Sequence, residues 1–291
     1  MIILRVSIAF IFKAGYSKKM KSLDKMLYSV IDNIAILTIN RPERRNALDA
    51  ETLEQINVLM DRAENDEKVR VILITGKGDT FSSGFDLKDQ MEKDPRGEEW
   101  KPILDLDYKT IMRFWNSPKP TIAAVKGACL AGAFELSLAC DFTICSKNSF
   151  FGEPELKFGA GIVTMLLPWV IGMKAAKKII LLGEDNITSS KALELGIISE
   201  VTTKDRLLKR SMQVAKHISV IDPILVKNTK KAINQSFETA GLHEALEKSL
   251  EIDFLIESKG SPDKKKFMEI ARKEGMRKAI KFRDSRFSID E

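Results

Sequence analysis

From about Met26 onward, apolar residues follow two rhythms. In Asn33–Asn40 (NIAILTIN) they are β-branched and alternate with smaller or polar residues, which predicts a strand that Arg41-Pro42 ends. Asp49 can then cap a helix running to about Glu64, with Leu53, Ile56, Leu59 and Met60 on one face. Val69–Thr75 (VRVILIT) predicts the next strand, closed by Gly76 and Gly78. The polar stretch that follows, through Pro95 and Gly97, reads as a mobile loop. A helix from about Ile103 to Trp115 stops before Pro118 and Pro120; Thr121–Val125 is a third strand, Gly132–Ala139 a helix and Phe142–Cys145 a short strand. This alternation implies an α/β fold with parallel strands. Beyond Gly161 the pattern is almost entirely helical: Lys174–Leu182, Thr188–Leu195, then stretches near 204–218, 222–237, 241–257 and a basic one at 262–283. The expected organisation is an extension over 1–25, disordered or cleaved, a core over 26–203 and a helical region over 204–291.

Composition narrows the chemistry. The 291 residues include 47 Lys and Arg and 41 Asp and Glu, a net charge of +6. The surplus sits at the ends, in residues 1–25 and 259–286, while the body between is slightly acidic. That placement weakens the nucleic-acid reading that a basic chain invites. The first stretch, apolar then basic, is compatible with organelle targeting or with a plain upstream extension, and is too short to span a bilayer. Cys129, Cys140 and Cys145 lie among apolar residues and read as reduced thiols, which favours a cytoplasmic location. Only His217 and His243 are available as imidazoles, and neither a CxxC pair nor an HExxH motif occurs, so no metal is expected. Chemistry must rest on carboxylates and backbone.

Three segments can carry it. Phe81–Leu87 (FSSGFDL) packs small residues and a glycine into a turn that can direct backbone N–H groups outward. In Gly127–Leu136 (GACLAGAFEL), Glu135 is the only charge between Lys126 and Asp141; burial would raise its pKa into the range useful for proton transfer. Gly132 falls in the first turn of that helix, where free N–H groups favour an anion. In Phe151–Leu156 (FGEPEL), two acids flank a proline that stiffens the chain beside Glu155. Each segment alone also reads as an ordinary turn or surface.

In this order and spacing, with RPERRNAL (Arg41–Leu48) before them and LPWVIGMKAAKKIILLGEDNITSSKALELGIISEV and EGMRKAIKFRDSRF after, the segments resemble the crotonase superfamily of enoyl-CoA hydratases and isomerases. The resemblance runs from about Met26 to Phe287. It implies a crotonase-like spiral of ββα turns with a C-terminal helical trimerisation region, assembled as a homotrimer or a dimer of trimers. It implies an acyl-CoA substrate, coenzyme A being part of that substrate, with no separate cofactor, nucleic acid or membrane partner. The N–H groups of Phe85 and Gly132 become an oxyanion hole, and Glu135 and Glu155, twenty residues apart, the acid/base pair. Arg44, Ala47 and Leu48 fall where the family contacts nucleotide and pantetheine; Asp86, Leu87 and Lys88 border the thioester and adenine; Lys281 falls near the phosphates of a neighbouring subunit's coenzyme. The implied activity is enoyl-CoA hydration, with isomerisation or another enolate chemistry as the alternative and RNA binding through Lys264–Arg286 well behind. Departures from the family pattern are Phe85, Ala131, Ala133, Phe134 and the short AGIVTML run after Gly159, all expected to line or border the acyl pocket.

Overall fold

The computed structural model describes residues 23–287, so the expectations for residues 1–22 and for the last four residues lie outside it. The chain opens with a hairpin the sequence pattern did not single out: β1 (Met26–Ile31) pairs antiparallel with β2 (Ile34–Ile39). Asp32 and Asn33 make the two-residue turn, both at positive φ (49° and 65°), as the turn that suits strand twist requires. The expected first helix is present as α1 (Ala50–Asn65), with the Asp49 side chain accepting the Thr52 N–H.

Three further turns of chain follow. β3 (Val71–Gly76) leads to α2 (Leu87–Lys93) and α3 (Trp100–Asn116); β4 (Thr121–Val125) to β5 (Ala128–Leu130) and α4 (Gly132–Ala139); β6 (Phe142–Ser146) to β7 (Phe150–Gly152) and, past Glu155–Phe158, α5 (Leu167–Ile171) and α6 (Met173–Leu182). After β8 (Ile187–Thr188), α7 (Ser189–Glu194) and β9 (Glu200–Thr202) come α8 (Leu207–Ser219), α9 (Pro223–Thr239), α10 (Leu242–Lys259), α11 (Pro262–Glu274) and α12 (Met276–Ser285). The stretch after Gly78 expected as a mobile loop contains α2, a two-turn helix capped by the Asp86 carboxylate on the Lys88 and Asp89 N–H groups. The basic segment 262–283 is two helices rather than one, because Gly275 at φ 91° breaks the run.

The strands form two layers. The main sheet runs β1-β2-β3-β4-β6-β9, parallel beyond the first pair. Both its faces are covered, so its strands read as near-continuous apolar runs. Ile34, Ile36, Leu73 and Ile122 face Leu207 and Ala215 of α8. Alternate residues such as Leu37, Ile39, Ile72 and Ala123 face the larger core. The second layer is built from short pieces: parallel bridges Leu48–Phe85 and Ser82–Cys129, then β5 parallel to β7, then β8. Each coil of the spiral thus contributes one long strand and one short segment, and the ends of the short segments stack beside one another.

Candidate active site

That stack sets the site. The Leu48 N–H donates to the Gly84 C=O (2.9 Å) and the Asp86 N–H to the Leu48 C=O (3.0 Å). In the next coil Leu130 N–H donates to Ser82 C=O (3.3 Å), and in the one after Ala131 N–H donates to Gly152 C=O (2.9 Å). Between these bonds, the N–H groups of Phe85 and Gly132 donate to no acceptor among the described residues. Gly84, at φ +88°, brings the two turns together: a Cβ there would lie 2.6 Å from the Ala131 Cβ and 3.3 Å from the Gly132 nitrogen. Phe85 and Gly132, singled out from separate motifs, are therefore neighbours presenting free donors.

Ala131 carries the strain of this turn. Its φ of 56° with ψ of −139° is a conformation that glycine adopts readily and alanine pays for with backbone strain. The Phe85 ring then lies on Gly132, where a Cβ would come within 2.3 Å of its Cε2. Phe134, one of the departures from the family pattern, is fully buried, its ring 5.7 Å from that of Phe151.

Glu135 sits in the first turn of α4 and is completely buried. Its Oε2 accepts the Thr164 N–H at 2.7 Å, so the shortened 160–166 run serves to hold this carboxyl. Glu155 begins the short helical turn after β7 and is 5% exposed. Glu153, at 1% exposed, joins them. One carboxylate oxygen from each of Glu135, Glu153 and Glu155 lies within 4.8 Å of the other two. Glu153 thus has the Glu135 and Glu155 carboxyls as close neighbours in one cluster. Glu135 Oε1, Glu153 Oε2 and Glu155 Oε2 receive no hydrogen bond from an N–H or hydroxyl among the described residues.

So many buried acids cannot all be charged. Burial, and then the neighbouring Glu155, push Glu135 well above the ordinary carboxylate range, against the Thr164 hydrogen bond that favours its charged form. Burial with Glu155 and Glu135 does the same to Glu153. Burial raises Glu155 to about 7, its hydrogen bonds to its own N–H and to Glu153 limiting the rise. Such a cluster accommodates shared protons; three oxygen donors at this spacing are also a set that a hard cation accepts. Glu153 is the residue that sequence reasoning left without a role. The signal was the Glu-Pro-Glu repeat itself: Pro154, at φ −80° and ψ 3°, turns the chain so that both acids enter one cluster.

The other residues singled out from the sequence are placed unequally. Asp86, 4% exposed, is a structural knot: it caps α2, pairs with Arg44 (2.7 Å) and with Arg41 (3.0 Å). Burial opposes its charge, yet the Arg44 hydrogen bond and both guanidiniums hold its pKa below the usual range. Arg41 also donates to the Ala47 C=O. Ala47 and Leu48 are buried, and the Leu48 backbone pairs with the Gly84–Asp86 turn. Leu87 packs with Phe158 and Phe267 of the α11–α12 layer, which covers α2 and the 155–158 turn of its own chain. Lys88 and Lys281 are exposed.

Two neighbouring unpaired backbone donors, one of them in the same helical turn as Glu135 of the buried acid cluster, form a site whose groups suit chemistry at a developing oxyanion with proton transfer beside it. The chain belongs to the enoyl-CoA hydratase/isomerase family, whose family model matches residues 30–273. It is 32% identical over 222 residues to a short-chain-enoyl-CoA hydratase of Clostridium acetobutylicum, covering 74% of this chain and 83% of that protein. It is 33% identical over 222 residues to a 2,3-dehydroadipyl-CoA hydratase of Escherichia coli, covering 75% and 85%. A crystal structure of an enoyl-CoA hydratase/isomerase from Xanthobacter autotrophicus Py2 superposes with a TM-score of 0.91 at 55% identity, over 92% of this chain and all of that one. The fold is the crotonase fold of these relatives. Among the described residues no helix is long and apolar enough to cross a membrane.

Proposed function

We propose that the protein is an enoyl-CoA hydratase, adding water across the 2,3 double bond of an enoyl-CoA thioester. The observation that carries the reading is the juxtaposition of the free Phe85 and Gly132 N–H groups with the Glu135–Glu155 cluster. In this reading the thioester oxygen lies between the two N–H groups. As water attacks Cβ, the C–O bond forms and the π electrons move toward the thioester, placing negative charge on that oxygen. The ionised carboxyl takes the proton of the attacking water and the protonated one delivers a proton to Cα, so the pair ends with the proton count it began with. The donors are worth most where charge develops; losing one typically costs about 3–4 kcal/mol of barrier. The reaction uses protons alone and needs no metal. Raised carboxyl pKa values support the division into acid and base, and the pair titrates as a unit.

The coenzyme contacts belong to the same reading: Arg44, Ala47 and Leu48 toward nucleotide and pantetheine, Leu87 and Lys88 beside them, and Lys281 toward phosphate. Residues 204–291 are proposed as the trimerisation region of a homotrimer or dimer of trimers, in keeping with exposed Ile224, Leu225, Ile233 and Leu255. The second reading, double-bond isomerisation, is favoured only by the family's double description. One experiment separates them. Conjugated 2-enoyl-CoAs of graded chain length should lose their thioester absorbance with the enzyme present. A 3-enoyl-CoA that gains conjugation, while no 2-enoyl-CoA is hydrated, would reverse the assignment.

A further inference from the structure

The acid/base pair accounts for two of the three buried carboxyls. Glu153 is unexplained: a third acid, 1% exposed, among groups that repel its charge. The groups acting on it are Glu155 and Glu135; it acts in turn on the Cys129 thiol, and Asp253 from α10 acts on Glu135. No Lys or Arg pairs with Glu153 among the described residues. A buried carboxyl without a cation is stable only when protonated or hydrogen-bonded. Among the described residues, the carboxyls that share its 4.8 Å cluster are Glu135 and Glu155, and Glu155 follows it in the chain across Pro154.

Glu153 is also held rigidly. Its N–H donates to the Glu184 C=O at 2.8 Å. Gly152 before it lies so close to that segment that a Cβ would come within 2.3 Å of the Glu184 oxygen. Pro154 follows, closing the turn into Glu155. This fixed backbone, with only Pro154 between the two acids, keeps the Glu153 and Glu155 carboxyls in one cluster.

We propose that Glu153 is a positioning residue for Glu155: its carboxyl keeps its proton and donates an O–H hydrogen bond that orients the Glu155 carboxylate and favours its ionised state. This rests on the hydratase reading, and it adds a third member to the cluster that touches no reacting atom. The proton on Glu153 is not consumed; through the cycle it stays on Glu153 while the Glu135–Glu155 pair exchanges protons with water and Cα.

Two substitutions test it. In Glu153→Gln the amide N–H replaces the O–H donor, and kcat should stay within about threefold of wild type with the same pH profile. In Glu153→Met the donor is gone, and kcat should fall about tenfold or more, the worth of one hydrogen bond to a charged group, with KM nearly unchanged. The acid limb of the kcat profile should move to higher pH in Glu153→Met, because losing a donor makes Glu155 harder to ionise. An unchanged rate and profile in Glu153→Met would reduce Glu153 to packing. Loss of activity in Glu153→Gln equal to that in Glu155→Gln would make it a direct proton carrier. Either result overturns the proposal. A readout independent of turnover covers a poorly folding Met variant: infrared difference spectra of wild type against Glu153→Gln at pH 8 should show the loss of one protonated-carboxyl stretch. No such loss would also overturn it. Wild type inactive on every enoyl-CoA would instead sink the hydratase reading, which the infrared comparison does not touch.

Discussion

At the scale of single residues, two placements decide what the site can do. Gly132 is required less for backbone freedom than for room, since the Phe85 ring occupies the space a side chain would need. Gly132→Ala keeps the N–H but pushes ring and turn apart. It should lower kcat about a hundredfold, comparable to losing an oxyanion donor, with a stability loss of about 1–3 kcal/mol from overpacking; steady-state kinetics and denaturant titration measure both. Glu135 was legible in the sequence because a lone charge in an apolar helix demands an explanation, and its burial supplies one. Glu153 was visible but not assignable, because alternation along a strand says nothing about how a proline turn redirects the next acid. Ala131 departs from the family pattern in the sequence itself, whereas its positive φ on a residue with a Cβ belongs to tertiary pairing with Gly152.

At the scale of elements, the long strands and amphipathic helices could be read from periodicity, and the Asp49 cap from its residue type. The short segments β5 and β7 could not, because three residues carry too little pattern; they exist through lateral pairing in the second layer. The same limit hid α2, whose helical state depends on the Asp86 cap and on Arg41 and Arg44 reaching it from another coil. Asp86→Ala removes the cap and leaves the Arg41 guanidinium, 11% exposed, without one of its two carboxylate partners. The expected cost is about 3 kcal/mol in denaturant unfolding, together with reduced activity from displacement of the adjacent Phe85 N–H. Were Asp86 instead a simple coenzyme contact, KM would rise with stability intact.

At the scale of the molecule, much of the charge in 259–286 that first suggested a polyanion partner is engaged internally. Arg272 pairs with Asp94, Arg283 with Asp185 and Lys264 with Glu257, joining α11 and α12 to the rest of the chain, while Arg286 pairs with Asp263 and ties the end of α12 to α11. The acid cluster acts on the whole fold through protons. The folded Glu155 carboxyl titrates at about 7 against an ordinary value of 4.5, so the folded state binds more protons than the unfolded one between these values. Its contribution is therefore most favourable below 4.5 and is lost as pH rises through 7. Glu155→Gln should raise the melting temperature over wild type at pH 8, and the difference should shrink toward pH 5. The most direct test of the central claim is the hydration rate of crotonyl-CoA and longer 2-enoyl-CoAs by wild type, Glu135→Gln and Glu155→Gln. General acid–base catalysis predicts a fall of about 10²–10⁴-fold in each variant with the fold retained. Full activity in both variants, beside an active wild type, would contradict it.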